Sequence, residues 1–209
     1  MHQPDVPRKS VLSQSALPLI AVVLGNVALA FGPLFVRLAD VGPVAAAFWR
    51  MALAVPVLFL VAVMLGQRPV QQARGLWWVL GFSGIAFAAD LGAWHIGITM
   101  TTLANSTLFG NAATLIFPIY GFIVARSWPT RSQGFALALA AAGGALLLGR
   151  SAEMSPDHLV GDLFCLLAGV LYAVYFIAMS RVRLRMEPLP ALAWSSLASV
   201  APLLVAALL

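Results

Sequence analysis

Residues 44–65 read VAAAFWRMALAVPVLFLVAVML, an apolar stretch whose single charge is Arg50. A bilayer core about 30 Å thick is crossed by roughly 20 apolar residues of helix, so this stretch predicts a membrane span. Isolated strands in lipid would leave backbone groups unpaired, and the run is too long for a barrel strand. Outward from it we predict six further spans, at Leu17–Val36, Leu76–Ile98, Leu103–Ala125, Gln133–Gly149, Leu159–Ser180 and Pro190–Leu209.

The composition supports a membrane protein. Hydrophobic residues make up 62% of the 209 positions and charged residues 9%, whereas a soluble domain carries about 25% charged residues. The net charge of +5 does not indicate a nucleic-acid partner, because the arginines lie in short gaps between apolar runs. Cys165 is the only cysteine, and no metal-ligand spacing is present. We therefore expect no metal and no cofactor.

The basic residues predict the orientation. Alternate gaps hold nine of them, and these gaps are expected to be cytoplasmic: Arg8, Lys9, Arg68, Arg74, Arg126, Arg131, Arg181, Arg183 and Arg185. The opposite side holds only Arg37 and Arg150. The prediction is a multi-pass protein of the cytoplasmic (plasma or inner) membrane with its N-terminus inside. The basic start and Ala28-Leu29-Ala30 also resemble a signal peptide, but the apolar run continues to Val36 and favours a span.

An internal repeat is suggested by a shift of 146 residues, which superposes Arg37 on Arg183, Phe48 on Trp194 and Pro56 on Pro202. Five spans separate the copies, and an odd number inverts the second copy in the membrane. Inverted repeats are typical of transporters. We expect a tail at residues 1–16, a first repeat of five helices at 17–149 and a partial second repeat of two helices at 159–209. Two full repeats would need ten helices, so we expect about three further spans after residue 209.

Ionisable and polar residues inside spans are costly and mark candidate sites. Arg50 and Asp90 have similar predicted depths in adjacent spans, so we expect them to pair or to share a polar cavity. A purely structural ion pair is the alternative. Polar stripes on the third and fourth spans either line a substrate path or bond helices together. The candidate translocation residues are Arg50, Asp90, Trp94, Thr107, Asn111 and Asn26. A buried carboxyl group at Asp90 also leaves proton coupling open.

Other polar residues receive structural interpretations. His95 is expected to lie at the outer membrane surface, and Asp162 in the first turn of its helix, where the helix dipole favours a carboxylate. Tyr172 and Tyr175 are expected to pack within the bundle, with a place at the edge of the cavity as the alternative. Trp77 and Trp78 fit an interfacial belt.

Several motifs together resemble a known family. They are Ala46-Ala47-Phe48-Trp49-Arg50, Asp90-Leu91-Gly92-Ala93-Trp94-His95, Thr101-Thr102-Leu103-Ala104-Asn105-Ser106-Thr107-Leu108, Asn111, Pro118, Gly161-Asp162-Leu163-Phe164-Cys165 and Leu171-Tyr172-Ala173. The chain resembles the EamA-type transporters of the drug/metabolite transporter superfamily. That resemblance implies ten helices in two inverted EamA-like repeats and the export or uptake of small metabolites. The Gly-Glu pair frequent after the family's fourth span is replaced by Arg126-Ser127-Trp128-Pro129.

The predicted function is secondary transport of a small metabolite or drug-like molecule by alternating access, not enzymatic catalysis. The expected partners are a small-molecule substrate and the lipid bilayer, with a homodimer left open. One alternative is an intramembrane serine protease, because Gly81-Phe82-Ser83-Gly84 resembles the rhomboid motif. Such a nucleophile needs a base within hydrogen-bond reach, and His95 is about 18 Å further along the same helix. A channel or a structural membrane protein is the other alternative.

Overall fold

The computed structural model describes residues 11–208 and, within them, the side chains of 19–151 and 153–208. This part of the chain folds into helices joined by short connections, with no β-strand among the described residues. The ten helices are α1 (Val11–Ala30), α2 (Gly32–Leu38), α3 (Pro43–Met64), α4 (Pro69–Gln72), α5 (Trp77–Met100), α6 (Leu103–Gly110), α7 (Ala113–Ala125), α8 (Arg131–Met154), α9 (Pro156–Val182) and α10 (Pro188–Leu208).

Seven segments of the described chain are long and apolar enough to cross a membrane. They are Leu19–Leu38, Pro43–Met64, Trp77–Met100, Leu103–Ala125, Arg131–Ser151, Pro156–Val182 and Pro188–Leu208. The prediction of an all-α, multi-spanning protein is therefore confirmed. Each predicted span coincides with one of these segments to within a few residues, because length and apolarity are enough to identify a membrane helix.

Two spans are interrupted, which the sequence analysis did not predict. The first is divided between α1 and α2 at Phe31, and the fourth between α6 and α7 at Asn111 and Ala112. The second break follows Gly110, and Gly and Asn are both weak helix formers. Each of these two apolar runs thus contains two helical segments, where the sequence predicted one continuous helix.

The chain divides into two compact units, one ending at Leu38 and one beginning at Ala39. In the first unit, α1 is followed by the short helix α2, and the rings of Phe31 and Phe35 lie 6.2 Å apart. The second unit contains α3 to α10 and all of the buried core described below.

The centre of the second unit is α5, which packs mainly on α9, while α10 packs on both α3 and α5. Leu80 near the start of α5 lies in one core cluster with Met179 near the end of α9, so these two helices are antiparallel. A second core cluster joins Ala47 of α3 to Leu203 of α10. Because α5 is covered on two sides, most of its polar residues become buried.

The α5–α9 interface depends on small residues. A Cβ atom on Gly97 would lie 2.6 Å from the Cys165 sulfur and 2.8 Å from the Gly161 carbonyl oxygen. No larger side chain fits at Gly97 without moving α9. Small residues at such positions let helix backbones approach closely in membranes.

The start of α9 corrects one prediction. Ser155 is the N-cap, its hydroxyl accepts a hydrogen bond from the His158 amide at 3.1 Å, and Pro156 begins the helix. A serine cap followed by proline is a favourable helix start. Asp157 therefore occupies the first turn, and the expectation that Asp162 would do so is wrong.

We call the end of the second unit formed by residues 65–76, 126–131 and 181–188 the basic end. Here the indole of Trp194 donates to the Pro69 carbonyl at 3.1 Å and meets the Trp77 ring edge-on at 4.9 Å. Trp78 is 92% exposed. Trp78 thus fits the predicted interfacial belt, whereas Trp77 packs against α10.

Candidate functional site

Arg50 and Asp90 are brought together by the packing of α3 beside α5. The Asp90 side chain is only 7% exposed, whereas the Arg50 side chain is exposed. The guanidinium and the carboxylate are close enough to interact electrostatically, and the Tyr172 side chain of α9 lies near both. Asp90 lies ten residues before the end of α5, about 15 Å from that end by helical rise. We call Arg50, Asp90, Tyr172 and Tyr175 the charged cluster.

Aromatic rings surround the charged cluster. Phe87 of α5 stacks on Tyr175 at 4.7 Å, and Tyr172 stacks on Tyr175 at 5.8 Å. Phe176 extends the series, 4.3 Å from Tyr172 and 5.9 Å from Phe117 of α7. The two tyrosines pack within the bundle as expected, and they also lie near Asp90. Their spacing of three residues places them on one face of α9.

Trp94 lies one turn beyond Asp90 and faces α6. Its indole N–H donates to the Ser106 carbonyl at 3.2 Å. A Cβ atom on Gly110 would lie 2.8 Å from the indole Cδ1 atom. Trp94 therefore fixes α6 against α5, and this contact is compatible with its predicted role as an apolar wall.

The predicted polar residues of the fourth span lie at the break between α6 and α7. Thr107 donates to the Leu103 carbonyl at 2.8 Å, and Asn111 donates to the Thr107 carbonyl at 2.8 Å. Both side chains are exposed, whereas Phe109 is 4% exposed. A Cβ atom on Gly169 would lie 2.5 Å from the Phe109 carbonyl oxygen, so α9 contacts the face of Phe109. Thr107 and Asn111 are thus on the exposed side of this segment, and their assignment to the translocation path stays a prediction.

Asn26 belongs to the first unit. Its side-chain amide donates to the Val22 carbonyl at 2.9 Å within α1. Its assignment to the translocation site stays a prediction.

A buried polar network, which the sequence analysis missed, surrounds Asp162 at the end opposite the basic end. The carboxylate is fully buried and accepts hydrogen bonds from Thr101, from Ser151 and, at 3.0 Å, from Asn105. Asn105 also donates to Ser151 at 2.9 Å. We call these four residues the Asp162 network. It connects the end of α5, the first turn of α6, α8 and α9. The Ser155-Pro156 helix start could have revealed that Asp162 lies in the second turn rather than the first.

His95 is fully buried, so its expected position at the membrane surface is wrong. Nδ1 lies 2.7 Å from the Leu91 carbonyl oxygen, and Nε2 is buried without a hydrogen-bond partner. The cause is the central position of α5, whose face opposite Asp90 is also covered by packing. Among the described residues, no three His, Cys, Asp or Glu side chains are grouped to hold a metal ion.

The alternative of a serine protease depends on Ser83 and a histidine. The Ser83 hydroxyl is fully buried and donates to the Leu80 carbonyl at 2.8 Å. His95 is bonded to its own helix. These two residues therefore do not form a nucleophile–base pair.

Comparison with known proteins identifies the family. The model of the EamA-like transporter family matches residues 16–149, more than half of the chain. No curated protein and no solved structure matches the chain. The matched residues contain the charged cluster's Arg50 and Asp90, four of the seven apolar segments and nearly all of a fifth. The protein is thus a multi-pass integral membrane protein, and it belongs to the EamA-like transporter family of the drug/metabolite transporter superfamily.

Proposed function

We propose that the protein is a secondary transporter that moves a small metabolite or drug-like molecule across the cytoplasmic membrane by alternating access. The charged cluster is the proposed translocation site. The observation that carries this proposal is a carboxylate and a guanidinium that interact at depth within apolar spans. Ionisable groups in such positions usually face a watery path or a substrate. Asp90 is also the proposed site of proton coupling.

Aromatic rings within and beside the charged cluster support a small organic substrate. Phe87, Tyr172 and Phe176 present ring faces and edges next to one positive and one negative group. Ligand sites commonly combine apolar or aromatic walls with a few polar groups. The cluster therefore suits a molecule that has both a charged or polar group and an apolar part. Trp94, Thr107, Asn111 and Asn26 remain proposed members of the path.

We also propose that residues 17–149 and 159–209 are inverted repeats. Helix boundaries support this organisation, since α3 begins at Pro43 and α10 begins at Pro188, 145 residues further along the chain. Pro56 and Pro202 lie inside α3 and α10, and these two helices pack antiparallel. Repeats of opposite orientation let one half rock against the other. A homodimer remains compatible with this architecture.

The basic end is proposed to face the cytoplasm, and this orientation is testable. Reporter tags inserted at residue 128, in the α7–α8 connection, and at residue 41, in the α2–α3 connection, should appear on opposite sides of the membrane. The reason is that the α7–α8 connection is rich in arginine, which favours the cytoplasmic side of the membrane. Accessibility of the tags in intact and in opened cells is the measurement. Tags at both positions on the same side would contradict the topology.

Transport can be tested without knowing the substrate. Cells that express the protein and cells with an empty vector are compared on a panel of toxic metabolites, and intracellular levels of each compound are measured. We expect at least one compound to be accumulated or excluded only when the protein is present. Arg50→Gln should remove most of that difference, because it deletes the positive charge of the cluster.

Arg150→Gln is the matched control, because Arg150 is an exposed arginine near the end of α8. It should transport like the wild type. A panel in which no compound differs would contradict the proposed transport. Equal loss of transport in both arginine variants, at normal membrane levels, would contradict the proposed site.

A further inference from the structure

A cavity opens at the surface of the basic end, and one of its arginines, Arg183, lies near Tyr175 of the charged cluster. It is a wide, open depression with a volume of about 460 Å³. It lies between α4 and the connection from α9 to α10, and it is lined by Gln72, Arg183, Arg185, Met186, Glu187 and Pro188. The transport mechanism proposed above does not use it.

The wall of this cavity is held by contacts between distant parts of the chain. The Gln72 side chain donates to the Glu187 carboxylate at 2.7 Å and accepts from the Glu187 backbone amide at 3.0 Å. Met186 is 4% exposed and belongs to the core cluster that contains Leu80. The cavity is thus part of the folded bundle rather than a gap beside a loose loop.

The charges of the lining favour an anion. Arg183 and Arg185 contribute two exposed guanidinium groups. Glu187 contributes one carboxylate, which is engaged by the Gln72 amide. The net charge of the lining is therefore positive. Guanidinium groups bind phosphate through paired, charge-assisted hydrogen bonds, and two of them can hold a single phosphate.

The position of the cavity indicates where such a phosphate comes from. It lies at the ends of apolar segments, next to the end of α9 and the start of α10. Leu184, between the two arginines, is 84% exposed, and Trp78 at the same end is 92% exposed. Exposed apolar side chains and tryptophan at a helix end are typical of the headgroup region of a bilayer. A ligand here meets both positive charge and apolar surface.

We propose that this cavity binds the headgroup phosphate of an anionic phospholipid. Arg183 and Arg185 hold the phosphate, and Leu184 contacts the acyl region. Phosphatidylglycerol is the probe of choice, with phosphatidylcholine, which has the same phosphate but no net charge, as its counterpart. Neither the site nor its test depends on the transported substrate.

The experiment is native mass spectrometry of the full chain in detergent micelles doped with equal amounts of the two lipids. The wild type should retain phosphatidylglycerol in preference to phosphatidylcholine. Arg183→Gln/Arg185→Gln should lower that preference by roughly tenfold or more, because each basic residue near an anionic headgroup is worth several-fold in binding. Glu187→Gln should raise the preference, since it removes the negative charge of the lining.

The matched control is Arg126→Gln/Arg131→Gln, which removes two exposed arginines from the same end outside the cavity. It should keep the wild-type preference. Equal losses in both double variants, or no preference in the wild type, would overturn the site. Displacement of the lipid by millimolar inorganic phosphate would assign the cavity to a soluble anion and overturn the lipid assignment. If the Arg183/Arg185 variant does not fold, Glu187→Gln still tests the site, because it should raise the preference for phosphatidylglycerol.

Discussion

Asp90→Asn should reduce transport by more than about tenfold while the protein remains folded in the membrane. Asparagine has nearly the same shape as aspartate, so the packing of α5 on α9 should survive. The change removes the negative charge that interacts with Arg50. A loss of about 1.4 kcal/mol of substrate or transition-state stabilisation is already tenfold, and removing one member of a partly buried charge pair costs more than that.

The measurement is initial transport rate against external pH, in cells or vesicles that contain equal amounts of wild type and variant. Asparagine cannot bind or release a proton, so the residual transport should also lose the pH dependence that Asp90 confers. Asp157→Asn is the control, because Asp157 is an exposed aspartate in the first turn of α9. Unchanged rate and unchanged pH dependence in Asp90→Asn would make Asp90 a scaffold residue.

Asp162→Ala should lower the free energy of unfolding by roughly 2–4 kcal/mol, because three hydrogen bonds to a buried carboxylate are lost and their donors remain buried. The donors are Thr101, Asn105 and Ser151, from three helical segments. The effect is measured by denaturant or thermal unfolding of the full chain in mild detergent. Asp162→Asn should be intermediate, since an amide oxygen can still accept from Thr101.

Asp157→Ala is the control for Asp162→Ala. It shows how much stability is lost when a carboxylate of α9 outside the Asp162 network is removed. Asp157 is in the first turn, where a carboxylate contributes about 0.3–1 kcal/mol through the helix dipole. Its replacement should therefore cost less than 1 kcal/mol. Equal stability of Asp162→Ala and the wild type would show that the Asp162 network does not stabilise the bundle.

The positions of the spans could be predicted because they depend on one local quantity, the length of an apolar run. The stretch at 44–65 became α3 (Pro43–Met64), and the run at 76–98 became α5 (Trp77–Met100). The break at Asn111 was missed because the length of an apolar run does not reveal an interruption within it. The apolar run continues through Gly110 and Ala112, and only the Gly-Asn pair indicates the interruption.

The site was harder to predict because burial depends on which helices become neighbours. Depth along each span suggested that Arg50 and Asp90 lie together, and α3 does pack beside α5. The burial of His95 required knowing that α5 is central and covered on two sides. The partners of Asp162 come from positions up to 61 residues away, a separation for which a single sequence gives no pairing signal.

The two ends of α9 are held by different kinds of contact. Near its start, Asp162 is bonded out of reach of water to three other segments. Beyond its finish, the Gln72–Glu187 bonds are exposed, and water can replace them at little cost. The end of α9 is held by apolar packing, because Met179 and Val182 are buried in the core cluster that contains Leu80. Separating α9 from its neighbours therefore exposes apolar surface at the basic end, whereas at the opposite end it breaks buried hydrogen bonds.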